Sequence, residues 1–133
     1  MSDQRSLIPD PVDRFLARYV NSIEYLEILL YLAERAERGF TVDELSRAMY
    51  TAPASVQRRL EKMVSDGLVS MTTGPGQLYA FAPSSSEMLP LVAEVSAVYR
   101  ERRVAVVTRI ASRPMDNVRA FSDAFRLGKK EKP

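Results

Sequence analysis

The stretch "TAPASVQRRLEKM" at residues 51–63 decides how the fold of this chain is interpreted. At about 100° per residue, as in an α-helix, Val56, Leu60 and Met63 form one apolar stripe. Arg58 and Lys62 project from the opposite side of the same helix. Such a basic face belongs either to a helix that reads DNA or to the solvated side of an ordinary amphipathic helix. The segments on each side of the stretch distinguish the two interpretations.

Two helices are predicted before this stretch. Apolar residues recur at helical spacing in "SIEYLEILLYLAERAERG", with Asn21 or Ser22 as the N-cap and Gly39 as the C-terminal stop. In "FTVDELSRAMY", Thr41 stands three residues before Glu44. That spacing is a capping box, in which each side chain satisfies the other's backbone N–H. The second helix therefore begins at this pair.

The stretch itself predicts a third helix from Pro53 to about residue 66. Proline is tolerated in a first helical turn because its missing N–H has no partner there. Thr51 is the preferred N-cap, with Ser55 as the alternative, and Gly67 supplies a left-handed stop.

A β-hairpin is predicted directly after Gly67, where the apolar period changes from helical to alternating. "LVSMTT" and "QLYAFA" flank the turn sequence "GPG" at 74–76. We expect Tyr79 and Phe81 to belong to the hairpin core rather than to a base-stacking surface. Helix, helix, turn, helix and hairpin is the order of a winged helix-turn-helix.

Further helices are predicted around this core. "PVDRFLARYV" at 11–20 predicts a short helix, and a pattern from Pro83 to Ala111 predicts a long one, roughly 37 Å for about 25 residues. "SRPMDN" interrupts that pattern, and Asp116 caps a last amphipathic helix. The expected fold is mainly α with a small β-hairpin: a winged helix-turn-helix core, a long C-terminal helix and a short tail helix. The predicted divisions are an N-terminal arm (1–20), a DNA-binding domain (21–83) and a helical dimerisation extension (84–133).

The segment from Thr41 to Pro83 resembles the winged-helix core of bacterial transcriptional regulators of the MarR/ArsR type. Their pattern runs from "T-x-x-E-L" through a turn to "S-V-x-R-x-L-x-x-L-x-x-x-G-L-V". The matching residues are Thr41, Glu44, Leu45, Ser55, Val56, Arg58, Leu60, Met63, Gly67, Leu68 and Val69. The resemblance covers about residues 22–82 and implies a regulator that binds double-stranded DNA. One departure is the wing, because "SMTTGPGQ" lacks the Arg or Lys that such wings often carry.

In such a fold the third helix enters the major groove. Small residues at its start, including Ser55, let the helix approach the bases. Arg58 suits a bidentate contact with guanine, and Gln57 suits adenine. Phosphate contacts are predicted for Arg59 and Lys62. The remaining candidate DNA contacts lie on the second helix and in the wing: Arg47, Thr72, Thr73 and Gln77.

A homodimer is predicted from the C-terminal apolar stripe. Glu87, Glu94 and Glu101 recur every seven residues beside it, as charges do beside the seam of paired helices. The alternative is that the stripe packs onto the chain's own first helix and tail. The candidate dimerisation residues are Val92, Val95, Tyr99, Val106, Ile110, Phe121 and Phe125.

Composition argues against an enzyme. The 133 residues include no histidine and no cysteine, which removes the commonest general base and every thiolate site. We predict no catalytic residue, no metal site and no cofactor. The start of the chain shows no secretory signal and no apolar run is long enough to cross a membrane, so we expect a cytoplasmic protein.

Charge keeps a second class of function open. Residues 41–82 hold four Lys/Arg and four Asp/Glu, so the predicted DNA-binding core is neutral. A winged-helix module that binds protein instead of DNA is therefore the main alternative. A small-molecule effector is also possible, and it would need a pocket between the long helix and the core.

Overall fold

The structure, a computed structural model, describes residues 7–112. Over this range it confirms a mainly helical fold with one two-stranded antiparallel hairpin. The elements are α1 (Asp10–Tyr19), α2 (Ile23–Glu34), α3 (Val42–Met49), α4 (Pro53–Ser65), β1 (Val69–Thr73), β2 (Gln77–Phe81), α5 (Met88–Glu101) and α6 (Arg103–Ala111). The predicted tail helix with its cap Asp116 lies outside the described residues.

The predicted caps of α2 and α3 are confirmed. Ser22 Oγ accepts a hydrogen bond from the Tyr25 N–H at 3.0 Å. Thr41 Oγ1 accepts from the Glu44 N–H at 3.1 Å, and Glu44 accepts from the Thr41 N–H at 2.9 Å. Arg38 also donates to both Glu44 carboxylate oxygens at 2.9 Å. The start of α3 is therefore fixed by local hydrogen bonds that the sequence specifies.

The predicted cap of α4 is wrong. Ala52 is the N-cap, and no side chain caps this helix. The Thr51 hydroxyl donates to the Met49 carbonyl, and the alternative, Ser55, donates its hydroxyl to Glu24. At the other end, Gly67 is the predicted left-handed stop, with φ +79°.

The end of α2 also differs from the prediction. The helix ends at Glu34, and Arg35 leaves helical geometry with φ −127°, five residues before Phe40. Gly39 has a different role: a Cβ there would lie 3.0 Å from Leu78 Cβ, so the glycine lets the hairpin approach closely. Phe40 and Tyr79 then exchange two backbone hydrogen bonds of 2.8 and 2.9 Å, which tie the hairpin to the segment before α3.

α2 lies at the centre of the hydrophobic core and buries six residues, including Tyr25. α1, α4, the hairpin, α5 and α6 each add buried apolar side chains to the same cluster. Tyr79 and Phe81 are buried, as the alternating pattern predicts. The divisions near residues 20 and 83 stay predictions, and the buried side chains among residues 7–112 form one cluster.

The prediction of one long C-terminal helix is wrong, because the helix breaks at Arg102. α5 begins at Met88, with Pro90 in its first turn, and Arg102 has non-helical dihedrals of φ −132° and ψ 52° before α6 begins. The break turns α6 back onto the molecule, where Arg109 Nε lies 2.5 Å from Asp13 Oδ1 of α1. An unbroken straight helix would carry the apolar face of α6, with Val106 and Ile110, away from the core.

The described part of the predicted dimer seam lies in the chain's own core. Five of its residues are at most 8% exposed: Val92, Val95, Tyr99, Val106 and Ile110. The structure therefore follows the alternative in which the stripe packs back onto the chain, and it corrects the idea that these side chains form an open seam. Phe121 and Phe125 lie outside the described residues.

Candidate nucleic-acid interface

The outward face of α4 is set by what the helix buries. Val56, Leu60 and Met63 have no exposed surface, so their stripe faces the core, as predicted. Arg58 and Glu61 on the other side are exposed, as is the start of the helix at Pro53 and Ala54. A helix held by one apolar face presents the other in a fixed direction.

Arg58 is the predicted base contact, and its side chain points to solvent. It forms no hydrogen bond or ion pair with any residue between 7 and 112. Its five N–H donors are therefore all available to an external acceptor. No other basic residue of α4 shares this property within the described range.

Arg59 is held inside the protein instead. Its Nε donates to Glu24 Oε1 of α2 at 2.8 Å, and Ser55 Oγ donates to the same oxygen. Burial opposes ionisation of Glu24, but the hydrogen bonds from Ser55 and Arg59, together with the charges of Arg59 and Arg58, outweigh it and hold the pKa of Glu24 below its ordinary value. Two predicted DNA contacts, Ser55 and Arg59, thus have a partner in the folded chain.

Lys62 is also held by neighbours. Its Nζ donates to the Tyr19 carbonyl and to Asp66 Oδ2, each at 2.8 Å, and lies 4.7 Å from the centre of the Tyr25 ring. The Tyr25 hydroxyl donates to the same Asp66 oxygen at 2.7 Å. Burial and this hydrogen bond raise the pKa of Tyr25 far above its ordinary value, so Tyr25 remains a donor at any physiological pH.

Gln57 connects α4 with the wing. Its amide nitrogen donates to Glu61 Oε2 at 3.0 Å and to the Tyr79 hydroxyl at 3.1 Å. The Tyr79 hydroxyl in turn donates to Gln77 Oε1 at 3.3 Å. Gln57 of α4 and Gln77 of the wing, both predicted to contact DNA, are therefore linked through the Tyr79 hydroxyl.

The wing is exposed and uncharged. Thr72 and Thr73 end β1 and pair with Leu78 and Gln77 across the hairpin. All of residues 70–78 are exposed, including the turn at 74–76. Its hydroxyl and amide groups can donate to phosphate oxygens, but the wing supplies no cation.

Two further residues border this surface. Arg47 of α3 is exposed and only its Nε contacts a described residue, the Asp43 carbonyl, at 3.5 Å. Tyr50, in the turn between α3 and α4, is 95% exposed and has a left-handed φ of 55°. Tyr50 is not among the predicted site residues, because the apolar pattern places it as the last residue of a helix. The sequence feature that could have identified Tyr50 is an aromatic residue in the turn three residues before Pro53.

A groove of about 400 Å³ lies between α2 and α5, at the place where an effector pocket was expected. Glu27 and Glu34 of α2 line it, opposite Tyr99 and Arg100 of α5. The Tyr99 hydroxyl donates to Glu27 at 2.8 Å, and burial and this hydrogen bond raise the pKa of Tyr99 to about 12.

In residues 7–112, no three His, Cys, Asp or Glu side chains are grouped so that they could hold a metal ion. Within the same limits, none of the helices combines the length and the apolar character needed to cross a membrane.

Comparison with known proteins gives structural neighbours and no sequence relatives. The chain matches no protein-family model, and no curated protein matches it in sequence.

Three solved structures illustrate the structural likeness. A mutant of the Staphylococcus aureus regulator MepR, bound to an oligodeoxyribonucleotide, aligns over 91% of this chain and 87% of its own, with 14% identity and a TM-score of 0.54. A MarR-family transcriptional regulator from Rhodococcus sp. RHA1 covers 92% and 84%, with 18% identity and a TM-score of 0.52. The homodimeric winged helix-turn-helix domain of Mb0332 from Mycobacterium bovis, a possible ArsR-family regulator, covers 77% and 90%, with 24% identity and a TM-score of 0.52.

These identities establish a likeness of fold. The order of elements, the capped α3, the outward face of α4 and the hairpin tied to Phe40 agree with it. The chain therefore has the winged helix-turn-helix fold found in MarR-type regulators.

Proposed function

We propose that this chain is a sequence-specific DNA-binding transcriptional regulator that acts as a homodimer, with α4 in the major groove. The observation that carries the proposal is Arg58, an arginine that forms no hydrogen bond or ion pair among the described residues, on the outward face of a helix that the core holds in place. The exposed, small Ala54 at the start of the helix permits close approach to the bases. The DNA-bound MepR structure shares this fold and supports the proposal.

The proposal assigns unequal roles to the predicted contacts. Arg58 reads guanine through its planar fork, whereas Arg47 and the wing residues Thr72 and Thr73 contact phosphates. Gln57 and Gln77 add hydrogen bonds to the nucleic acid from the link that they form with Tyr79. Lys62 is already neutralised by Asp66 and contributes less than its charge suggests.

The direct test is an electrophoretic mobility-shift assay with DNA from the chain's own upstream region. Arg58→Ala is expected to weaken specific binding by about tenfold or more, the effect of losing one bidentate base contact. Arg14→Ala is the matched control, because it removes the same charge from an exposed position on α1. Equal binding by wild type and Arg58→Ala would reject α4 as the reading helix.

The homodimer needs a surface other than the buried stripe. Leu89 and Val104 are 51% and 76% exposed, and Ala93 and Ala97 are exposed between them. We propose that this outer face of α5 and the start of α6 contacts the partner, together with Phe121 and Phe125. A two-fold dimer would place two α4 helices roughly 34–36 Å apart, one turn of DNA.

A protein-binding module is the second candidate function. The uncharged wing favours it, because Met71 and Leu78 on the hairpin are 40% and 39% exposed and would suit an apolar partner surface. A salt titration separates the two functions. DNA binding through phosphates weakens steeply as salt rises, whereas a protein-binding module shows no DNA binding even at low salt.

A small-molecule effector also has a place in the proposal. The groove between α2 and α5 joins the helix at the centre of the winged core to the helix proposed to contact the partner. Occupation of this groove would therefore affect both the spacing of the α4 helices and the core that carries them.

A further inference from the structure

Glu24 is a carboxylate of α2 that acts on α4. It lies in the first turn of α2, yet its Oε1 accepts hydrogen bonds from Ser55 and Arg59, 31 and 35 residues further along the chain. Ser55 and Arg59 are one helical turn apart, so a single oxygen holds two successive turns of α4. Neither donor has another partner among the described hydrogen bonds.

Tyr25, the next residue, makes the corresponding contact at the other end of α4. Its buried side chain donates to Asp66, the C-cap of α4, at 2.7 Å. Lys62 completes this contact by bonding both Asp66 and the Tyr19 carbonyl at 2.8 Å. Two adjacent residues of α2 thus fix the N-terminal half and the C-terminal end of the proposed reading helix.

The ion pair between Glu24 and Arg59 is partly shielded from solvent, so its loss is expected to affect the position of α4. Each side chain is 26% exposed, compared with 63% and 38% for the pair that Arg103 of α6 forms with Glu27 of α2. Loss of one partner from a sheltered pair leaves the other charge without compensation, which costs more than loss of an exposed pair.

We propose that Glu24 is a positioning residue of the DNA-binding surface: it holds Ser55 and Arg59 so that α4 presents Arg58, and Arg59 does not contact phosphate. This inference rests on the proposed function. It reverses the role expected for Arg59, and it assigns a role in DNA binding to an acidic residue. General electrostatics predicts the opposite effect for Glu24, because a carboxylate near a polyanion is repulsive.

The test compares Glu24→Ala, Arg59→Ala and the double variant on the same DNA across a range of salt concentrations. Glu24→Ala is expected to weaken binding by about tenfold, the effect of losing one charge-assisted hydrogen bond, although it removes a negative charge. Arg59→Ala is expected to weaken binding similarly without changing the dependence of log K on log salt. The double variant is expected to be no weaker than the worse single variant, because both changes remove one contact.

Glu61→Ala is the matched control for charge. Glu61 lies on the exposed face of α4 and bonds only Gln57 among the described residues. Its removal deletes the same charge close to the DNA, so it is expected to strengthen binding. Opposite effects of the two glutamate variants support positioning by Glu24.

Several results would overturn the proposal. One is stronger binding by Glu24→Ala, as for Glu61→Ala. Another is a salt slope that falls by about 0.9 in Arg59→Ala, which is the signature of a lost phosphate contact. Full retention of wild-type affinity by Glu24→Ala is equally incompatible with it. Glu24→Gln, which keeps an oxygen acceptor for both donors, is expected to recover part of the affinity.

Failure of the proposed function is distinguishable from failure of this inference. If wild type and all variants bind no DNA at low salt, the proposed function is wrong, and so is a role of Glu24 in DNA binding. The contact between Glu24 and Arg59 is then tested by thermal unfolding without DNA. Non-additive losses of melting temperature support a contact by which Glu24 holds α4 in place, and additive losses contradict it.

Discussion

At the scale of single residues, adjacent side chains on one helix have different partners. Arg58 and Arg59 are neighbours in sequence, but a turn of about 100° takes one to solvent and the other to Glu24 of α2. Lys62, about one helical turn after Arg59, also faces α2, where its ammonium group lies over the Tyr25 ring. A basic run on a helix is therefore not one surface, and the number of free cations is smaller than the number of basic residues.

Arg58→Lys tests whether position 58 reads a base or only contributes charge. Lysine keeps the charge but lacks the planar fork that binds guanine O6 and N7 together. We expect the preference for specific over scrambled DNA to fall by about tenfold, with little change in the salt dependence. Fluorescence anisotropy on both DNAs measures this, and an unchanged preference would reduce Arg58 to a phosphate contact.

Tyr25→Phe tests the contact at the C-terminal end of α4. The substitution removes the hydroxyl that donates to Asp66 and keeps the buried ring. We expect the free energy of unfolding to fall by about 1–2 kcal/mol, because Asp66 loses one partner in a sheltered site. Urea denaturation measures the change. Tyr31→Phe is the control, since Tyr31 is half-buried and its hydroxyl has no hydrogen bond among the described residues.

The α3 capping box gives stability a dependence on pH. The hydrogen bond from the Thr41 N–H, and then the Arg38 guanidinium, hold the pKa of Glu44 below its ordinary value of 4.5. A lowered native pKa stabilises the fold above the unfolded pKa, and the stabilisation is lost as pH falls through the native pKa. Glu44→Gln is therefore expected to be less stable than wild type at pH 7 and equally stable near pH 2. A stability difference that stays constant between these pH values would contradict this origin.

At the scale of elements, local signals were predictable and tertiary ones were not. The Ser22 cap, the capping box and the Gly67 stop involve residues within three positions of one another, so the sequence specifies them. No proline or glycine marks the break at Arg102, after which Arg109 of α6 pairs with Asp13 of α1, 96 residues away in the chain. The internal partner of Arg59 was equally hidden, since Glu24 lies 35 residues away.

Gly67→Ala tests the left-handed end of α4. A Cβ at this position would need φ +79° and would lie 2.9 Å from Ser84 Oγ. We expect a loss of about 1–2 kcal/mol in the free energy of unfolding, the cost of left-handed backbone for a residue with a Cβ. Gly74→Ala at the wing tip is the matched control, because a Cβ there meets no atom within 4 Å. Equal losses for the two variants would show that the turn at Gly67 does not constrain the fold.

At the scale of the whole molecule, one core joins the proposed reading helix to the C-terminal helices. α2 contacts α4 through Glu24 and Tyr25, and it contacts α5 and α6 through Glu27, which binds Tyr99 and Arg103. The same helix therefore contacts both the proposed reading helix and the two C-terminal helices.

Light scattering in solution tests the dimer. The chain has a mass of 15.0 kDa, and we expect a particle of twice that mass. Val104→Glu places a charge on an apolar residue of α6 that is 76% exposed, and it is expected to shift the mass towards that of one chain. Met71→Glu, on the wing, is the control for an added surface charge and is expected to leave the dimer intact. A wild-type mass of one chain would remove the two-fold symmetry from the proposal.

Protection of guanine N7 from methylation tests the central claim most directly, because N7 lies in the major groove and is the atom that Arg58 is proposed to bind. On DNA from the chain's own upstream region, we predict protected guanines in two half-sites about 10–10.5 base pairs apart. Arg58→Ala should restore their reactivity. The absence of protected guanines at saturating wild-type protein and low salt would contradict the account.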